Sequence, residues 1–202
     1  DILAYHYSTE RKADYCKETK FVHQNNEIEV IYTPLSIDVS KKIEQKTSPI
    51  NYICPEKSPY VHGESLSYEL LKVVRTEGWT IEQIAQLMRT YISALEQLSK
   101  QTSTSLIESP YTTFPGDFFD CVPQNIIRRS GGTVEFIDKE WALKENVEFG
   151  YLIFRSLLLL LGNAQRVAES DTALPLTRSQ FVKQVLGALE ITLTDEDLSR
   201  YA

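Results

Sequence analysis

The sequence predicts an α+β fold, with a small β-rich N-terminal lobe and a larger, mainly helical C-terminal lobe. Three observations carry this expectation. Up to Val61 the apolar residues come in short, β-rich runs bounded by turn-forming residues. From Ser65 onward the apolar period lengthens to about 3.6 residues. Between two helical stretches lies a hairpin signature: Ile126-Ile127, then Ser130-Gly131-Gly132, then Thr133 to Ile137.

Taken in order, Lys20-Phe21-Val22-His23 and residues 27–33 form a hairpin around Gln24-Asn25-Asn26, because asparagine tolerates the left-handed backbone of tight turns. Residues 38–45 read as one short helix carrying Lys41, Lys42 and Glu44. Residues 51–54 read as another strand, and 58–61 as a hinge. Ser65 caps a helix over 66–76 that Gly78 ends. Thr80 opens a longer helix over 81–99, with Gln83 completing a capping box. On it Ile81, Ile84, Met88, Tyr91, Ile92, Leu95 and Leu98 share one face, which is a core stripe. Residues 106–119, with Pro110 and Pro115, form a loop. Residues 146–161 make the most hydrophobic helix, stopped by Gly162. Beyond Pro175 two tail helices follow over 178–189 and 194–201. The resulting divisions are 1–62, 63–168 and a helical extension over 169–202.

A chain of 202 residues suffices for one domain or two small lobes. The net charge of −7 comes without any basic stripe interleaved with aromatics, which argues against nucleic acid as a partner. Cys16, Cys54 and Cys121 have no metal-like spacing and suggest reduced thiols in a cytoplasmic setting. His6, His23 and His62 are isolated and read as surface or packing residues. The longest apolar run is broken by Arg155 and Ser156, so no membrane span is expected. No signal peptide is visible, and the start at Asp1-Ile2-Leu3-Ala4 reads as a domain from something longer.

The chemistry-bearing stretch is Asp120-Cys-Val-Pro-Gln-Asn125, followed by Phe136-Ile137-Asp138-Lys139-Glu140-Trp141. Phosphoryl transfer needs an acid to orient or deprotonate the accepting hydroxyl, and an amide and a second acid to hold magnesium against nucleotide phosphates. Asp120, Asn125 and Asp138 supply those types, and the hairpin would set Asn125 and Asp138 at adjacent strand ends. Glu140 is either a supporting acid or a solvated glutamate. Taken singly, Asp120, Pro123 and Asn125 are ordinary loop formers.

The pattern Asp120-x4-Asn125 followed by Ile137-Asp138-x-Glu140 resembles the aminoglycoside phosphotransferase and choline kinase branch of the protein-kinase-like fold. With Pro123 and Glu140-Trp141 it is similar to kinase-like domains of bacterial polysaccharide-synthesis proteins, where methyltransferase or glycosyltransferase domains flank them in the same chain. The motif-bearing part covers residues 110–162. The resemblance implies ATP and magnesium, with Asp120 as catalytic base, Asn125 and Asp138 as metal ligands, and a small-molecule or glycan hydroxyl as acceptor. The sequence departs from the pattern in three places. Phe118 stands where a histidine is usual, Tyr32 or Thr33 where a phosphate-binding lysine is usual, and no glycine precedes Gly63. Arg11, Lys12 and Lys20 are the candidate replacement cations, with Ser8 to Lys12 as the phosphate cover. The alternatives are a catalytically inactive kinase-like module that docks neighbouring transferase domains, and a helical interaction domain in which the pattern is accidental.

Overall fold

The computed structural model describes residues 1–36, 48–171 and 177–202, so the helix expected at 38–45 and the break at Pro175 lie outside the described residues. The chain is α+β, with several small antiparallel sheets and, among the described residues, five α-helices.

Strands β1 (Ile2–Ser8), β2 (Lys17–Gln24) and β3 (Glu27–Pro34) form an antiparallel meander. Asn25 and Asn26 turn it with φ of 50° and 64°, the left-handed pair that a two-residue hairpin loop prefers. β4 (Ile50–Tyr52) leaves this sheet, and β5 (Lys57–Pro59) returns to the free edge of β3, giving the order β1-β2-β3-β5. β1 has no counterpart in the sequence reading. It is an edge strand exposed along nearly its whole length, so it shows no alternation of burial. Its backbone ladder with β2 and a 2.9 Å hydrogen bond from the Tyr7 hydroxyl to Glu18 hold it.

β6 (Glu64–Ser65) leads into α1 (Leu66–Val74), where the Ser65 hydroxyl accepts from the Tyr68 amide at 3.2 Å. The expected capping box opens α2 (Ile81–Gln101): the Gln83 amide donates to Thr80 Oγ1 at 3.1 Å, and Gln83 Oε1 accepts from the Thr80 amide at 2.9 Å. The segment expected to be a loop is partly structured. β7 (Thr113–Phe114) is followed by a 3-10 turn at Gly116–Asp120. A side chain at Gly116 would collide with the carbonyls of Leu143 and Glu145, so glycine is what lets this turn lie against the later chain.

The hairpin strands β8 (Ile126–Arg128) and β9 (Val134–Phe136) form one small sheet with β6. β10 (Trp141–Leu143) pairs with β4, and β11 (Val147–Glu148) pairs with β7. α3 (Phe149–Asn163) is the apolar helix. α4 (Arg178–Ala188) and α5 (Asp195–Tyr201) each open on a threonine capping box. The core joins Leu66 and Leu70 of α1, Ile84, Met88 and Leu95 of α2, Leu152 and Leu157 of α3, and Val185 of α4. Truncating one such leucine or isoleucine to alanine costs about 2–5 kcal/mol. Tyr91 is buried among them, and its hydroxyl is satisfied by the Cys121 carbonyl at 2.7 Å. Among the described residues no helix is long and apolar enough to cross a membrane.

Asp197 pins α5 to the loop that carries Tyr111. Its Oδ2 accepts from the Thr194 hydroxyl at 2.7 Å, the Thr194 amide at 2.9 Å and the Tyr111 hydroxyl at 2.9 Å. These bonds, Thr194 foremost, hold its carboxyl well below the usual range. Because the folded value lies below the unfolded one, the stabilisation is present above a pH of about 4 and is lost as the pH falls through the folded value. Asp197→Asn should therefore lower the melting temperature clearly at neutral pH, with the difference from wild type shrinking in acid. Thermal unfolding of both proteins across that range checks this.

Candidate functional site

The β8–β9 hairpin pairs Ile126 with Phe136, Ile127 with Glu135 and Arg128 with Val134. That register closes the stem: the Ile137 amide donates to the Asn125 carbonyl at 2.8 Å. Asn125 Nδ2 then donates to the Asp120 carbonyl at 2.9 Å and to the Asp138 carbonyl at 3.4 Å. The Asn125 amide thus joins the backbones of Asp120 and Asp138, and Asn125 and Asp138 meet at the end of the hairpin as the strand pairing anticipates. The chain does not run straight on from β9, because Asp138 turns with a φ of 50°, a conformation aspartate tolerates better than most residues.

The cation facing Asp138 is Lys17, at the start of β2. Its ammonium lies 2.7 Å from Asp138 Oδ1, forms an ion pair with Glu140 Oε1, and sits 4.4 Å from the centroid of the Tyr32 ring. Lys17 is 1% exposed. Antiparallel register explains the placement: Thr19 is opposite Tyr32 and Phe21 opposite Val30, so Lys17, Thr19 and Phe21 point to one face of the sheet. Arg11, in the connection between β1 and β2, donates from Nη1 to Glu140 Oε2 at 3.0 Å. Two cations therefore meet two carboxylates. Burial alone pushes Lys17 toward neutrality, but Asp138 and Glu140 outweigh it and hold the ammonium charged above its ordinary range. Arg11 is likewise opposed by burial and held charged by Glu140.

The two carboxylates differ in access. The Asp138 side chain is 37% exposed and that of Glu140 only 3%. Asp120 is turned inward, and its Oδ2 accepts from the amides of Glu140 at 2.8 Å and Trp141 at 3.2 Å. Burial raises its pKa, and the two amides oppose that rise. Asp120 thereby brackets the segment carrying both other acids. β4–β10 pairing sets Tyr52 opposite Trp141, and Tyr15 packs edge-on against both, with centroids 5.1 and 5.0 Å away.

Of the other sequence candidates, Lys12 is exposed beside Arg11. Lys20 lies on the opposite face of β2 from Lys17, 3.6 Å from Glu18 and over the Tyr5 ring, so strand alternation keeps it out of this cluster. Lys17 is the residue the sequence reading missed. The available signal was the alternation Lys17-x-Thr19-x-Phe21, which extends the strand three residues before Lys20.

In comparisons with known proteins, no family model matches the chain, and neither a curated protein nor a solved structure is significantly similar to it.

Among the described residues no cluster of three or more His, Cys, Asp or Glu side chains is placed to hold a metal by itself. What the hairpin offers is one partly exposed carboxylate, Asp138, and one amide oxygen, Asn125 Oδ1, whose nitrogen is committed to two carbonyls. Hard oxygen donors in that number fit a magnesium ion that keeps waters and substrate phosphates as its remaining ligands.

Lys17→Met removes the positive charge between two acids, one of them buried. The loss should be about 3 kcal/mol, at the low end for breaking a buried pair because Arg11 still neutralises Glu140. Denaturant unfolding measures it. Adding Glu140→Met to Lys17→Met should recover most of that loss.

Proposed function

We propose that this chain is a protein-kinase-like domain that transfers a phosphoryl group from ATP, with magnesium, to a hydroxyl of a small molecule or glycan. The resemblance on which this builds places such a domain within a larger polysaccharide-modifying transferase, with its partner domains in the same chain. The single observation that carries the reading is the Lys17–Asp138 contact at the end of the Asn125 hairpin. It sets a cation beside Asp138 where Tyr32 and Thr33 offer none, and Tyr32 lies under that cation.

In this reading Lys17 binds phosphate oxygens, and Asn125 and Asp138 would hold magnesium. When bound, the ion neutralises charge on the β- and γ-phosphates. Transfer forms the bond from phosphorus to the acceptor oxygen and breaks the bond to the β-phosphate oxygen. The hydroxyl proton passes to Asp120 Oδ1, since Oδ2 is occupied by the Glu140 and Trp141 amides. The second reading, a non-catalytic module that positions neighbouring domains, is favoured by that same inward turn of Asp120.

Nucleotide-dependent thermal stabilisation, with and without magnesium, tests the site. Wild type should be stabilised more with magnesium present, and Asp138→Asn should lose that increment while keeping the fold. No magnesium-dependent increment in wild type would refute the phosphotransferase reading.

Asp120→Asn separates the two roles of Asp120, because its amide oxygen can still accept from the two backbone amides. As a base, Asp120 should be worth about a hundred- to ten-thousandfold in turnover, so Asp120→Asn should bind nucleotide normally and lose that much rate. Turnover unchanged in Asp120→Asn would remove Asp120 as the base. Intact magnesium-nucleotide binding without turnover in wild type selects the non-catalytic module.

A further inference from the structure

Lys17 has two carboxylate partners, and they are unlike each other. The Asp138 side chain is 37% exposed and joins the hairpin that offers Asn125, whereas the Glu140 side chain is 3% exposed and also binds Arg11. A lysine that both neutralises a metal ligand and meets phosphate faces a conflict. Once Asp138 gives its charge to a cation, the ammonium loses one of its two ion pairs. A buried side chain with three donors then needs another fixed acceptor to keep it aimed. Glu140 is in place for that, because its buried carboxylate is reached from one side by Lys17 and from the other by Arg11.

We infer that Glu140 is the positioning residue of this site: it anchors Lys17 when Asp138 turns to the metal. The inference rests on the phosphotransferase reading and assigns a role that the spacing of the three motif residues does not contain. Charge counting supports it. Without ligands, Lys17 and Arg11 balance Asp138 and Glu140. A magnesium triphosphate adds net negative charge beside this balanced set, and Glu140 keeps the Lys17 ammonium aimed toward it. Asp120 serves the same arrangement by fixing the Glu140 backbone at 2.8 Å.

The test is a comparison of Glu140→Gln with wild type for nucleotide affinity, with and without magnesium. A positioning role makes the defect metal-dependent. Without magnesium Asp138 still holds Lys17 and affinity changes little, whereas with magnesium affinity falls about tenfold, in the range for residues that orient a metal site from behind. Glu140→Asp, which keeps the charge on a shorter arm, should recover part of that loss. It also serves as the second variant if Glu140→Gln folds poorly. Equal losses with and without magnesium, or no loss in either, would overturn the inference and leave the phosphotransferase reading standing. Wild type without magnesium-dependent nucleotide binding would overturn both.

Discussion

Burying the Lys17 ammonium is the constraint on which the rest of the site depends. An unpaired ammonium at that depth would cost several kcal/mol, so the fold must bring acids to it from 121 residues away. The β2–β3 register aims Lys17 inward, and the hairpin ends bring Asp138 across. The left-handed turn at Asp138 re-aims the chain so that Glu140 reaches the same ammonium. Asp120 holds that turn through two backbone amides, and Asn125 ties Asp120 to Asp138 through its own amide. Each of these side chains secures the backbone that presents another.

Behind the polar layer the support is apolar. Phe118, where the resemblance expects a histidine, is 1% exposed and stacks on Phe114 with centroids 4.7 Å apart. The turn that carries Asp120 is therefore held by packing at that point. Its neighbour Phe119 is fixed by Arg155, whose guanidinium donates to the Phe119 carbonyl at 2.7 Å and lies 4.1 Å from the ring. Arg155, which breaks the apolar run of α3, thus has a structural use in the same place. Gly116 completes the support by allowing the turn to touch the Leu143 carbonyl.

The parts of this arrangement that were legible in the sequence are those set by local rules. Thr80 and Gln83 announce a helix start by chemistry, and Ser130-Gly131-Gly132 announces a turn, so α2 and the β8–β9 hairpin follow from a few residues each. The convergence of Asn125 and Asp138 then follows from the hairpin alone. Lys17 was not legible because Lys17-Glu18-Thr19-Lys20 reads as a polar surface stretch. Its burial depends on acids that reach it only in three dimensions. Glu140 was ambiguous for the same reason. β1 was missed because its order comes from backbone pairing, and an edge strand exposed on both faces leaves no burial pattern to read.

Stability alone does not account for a four-charge cluster. Apolar residues of similar volume commonly replace a buried ion pair at little cost or with a gain. The N-terminal part of the chain is already joined to the segment after the hairpin by the β4–β10 pairing and the Tyr15, Tyr52 and Trp141 rings. Two departures from local preference also coincide at one point: a buried lysine and a left-handed non-glycine residue, Asp138. Such departures concentrate where a site must hold side chains in a fixed arrangement, with the surrounding fold bearing the strain. Asp138 bears both features of a working group, being held by its neighbours and still open to solvent. Glu140 bears only the first. In the proposed reading, that difference in exposure is what would separate a ligand from its anchor.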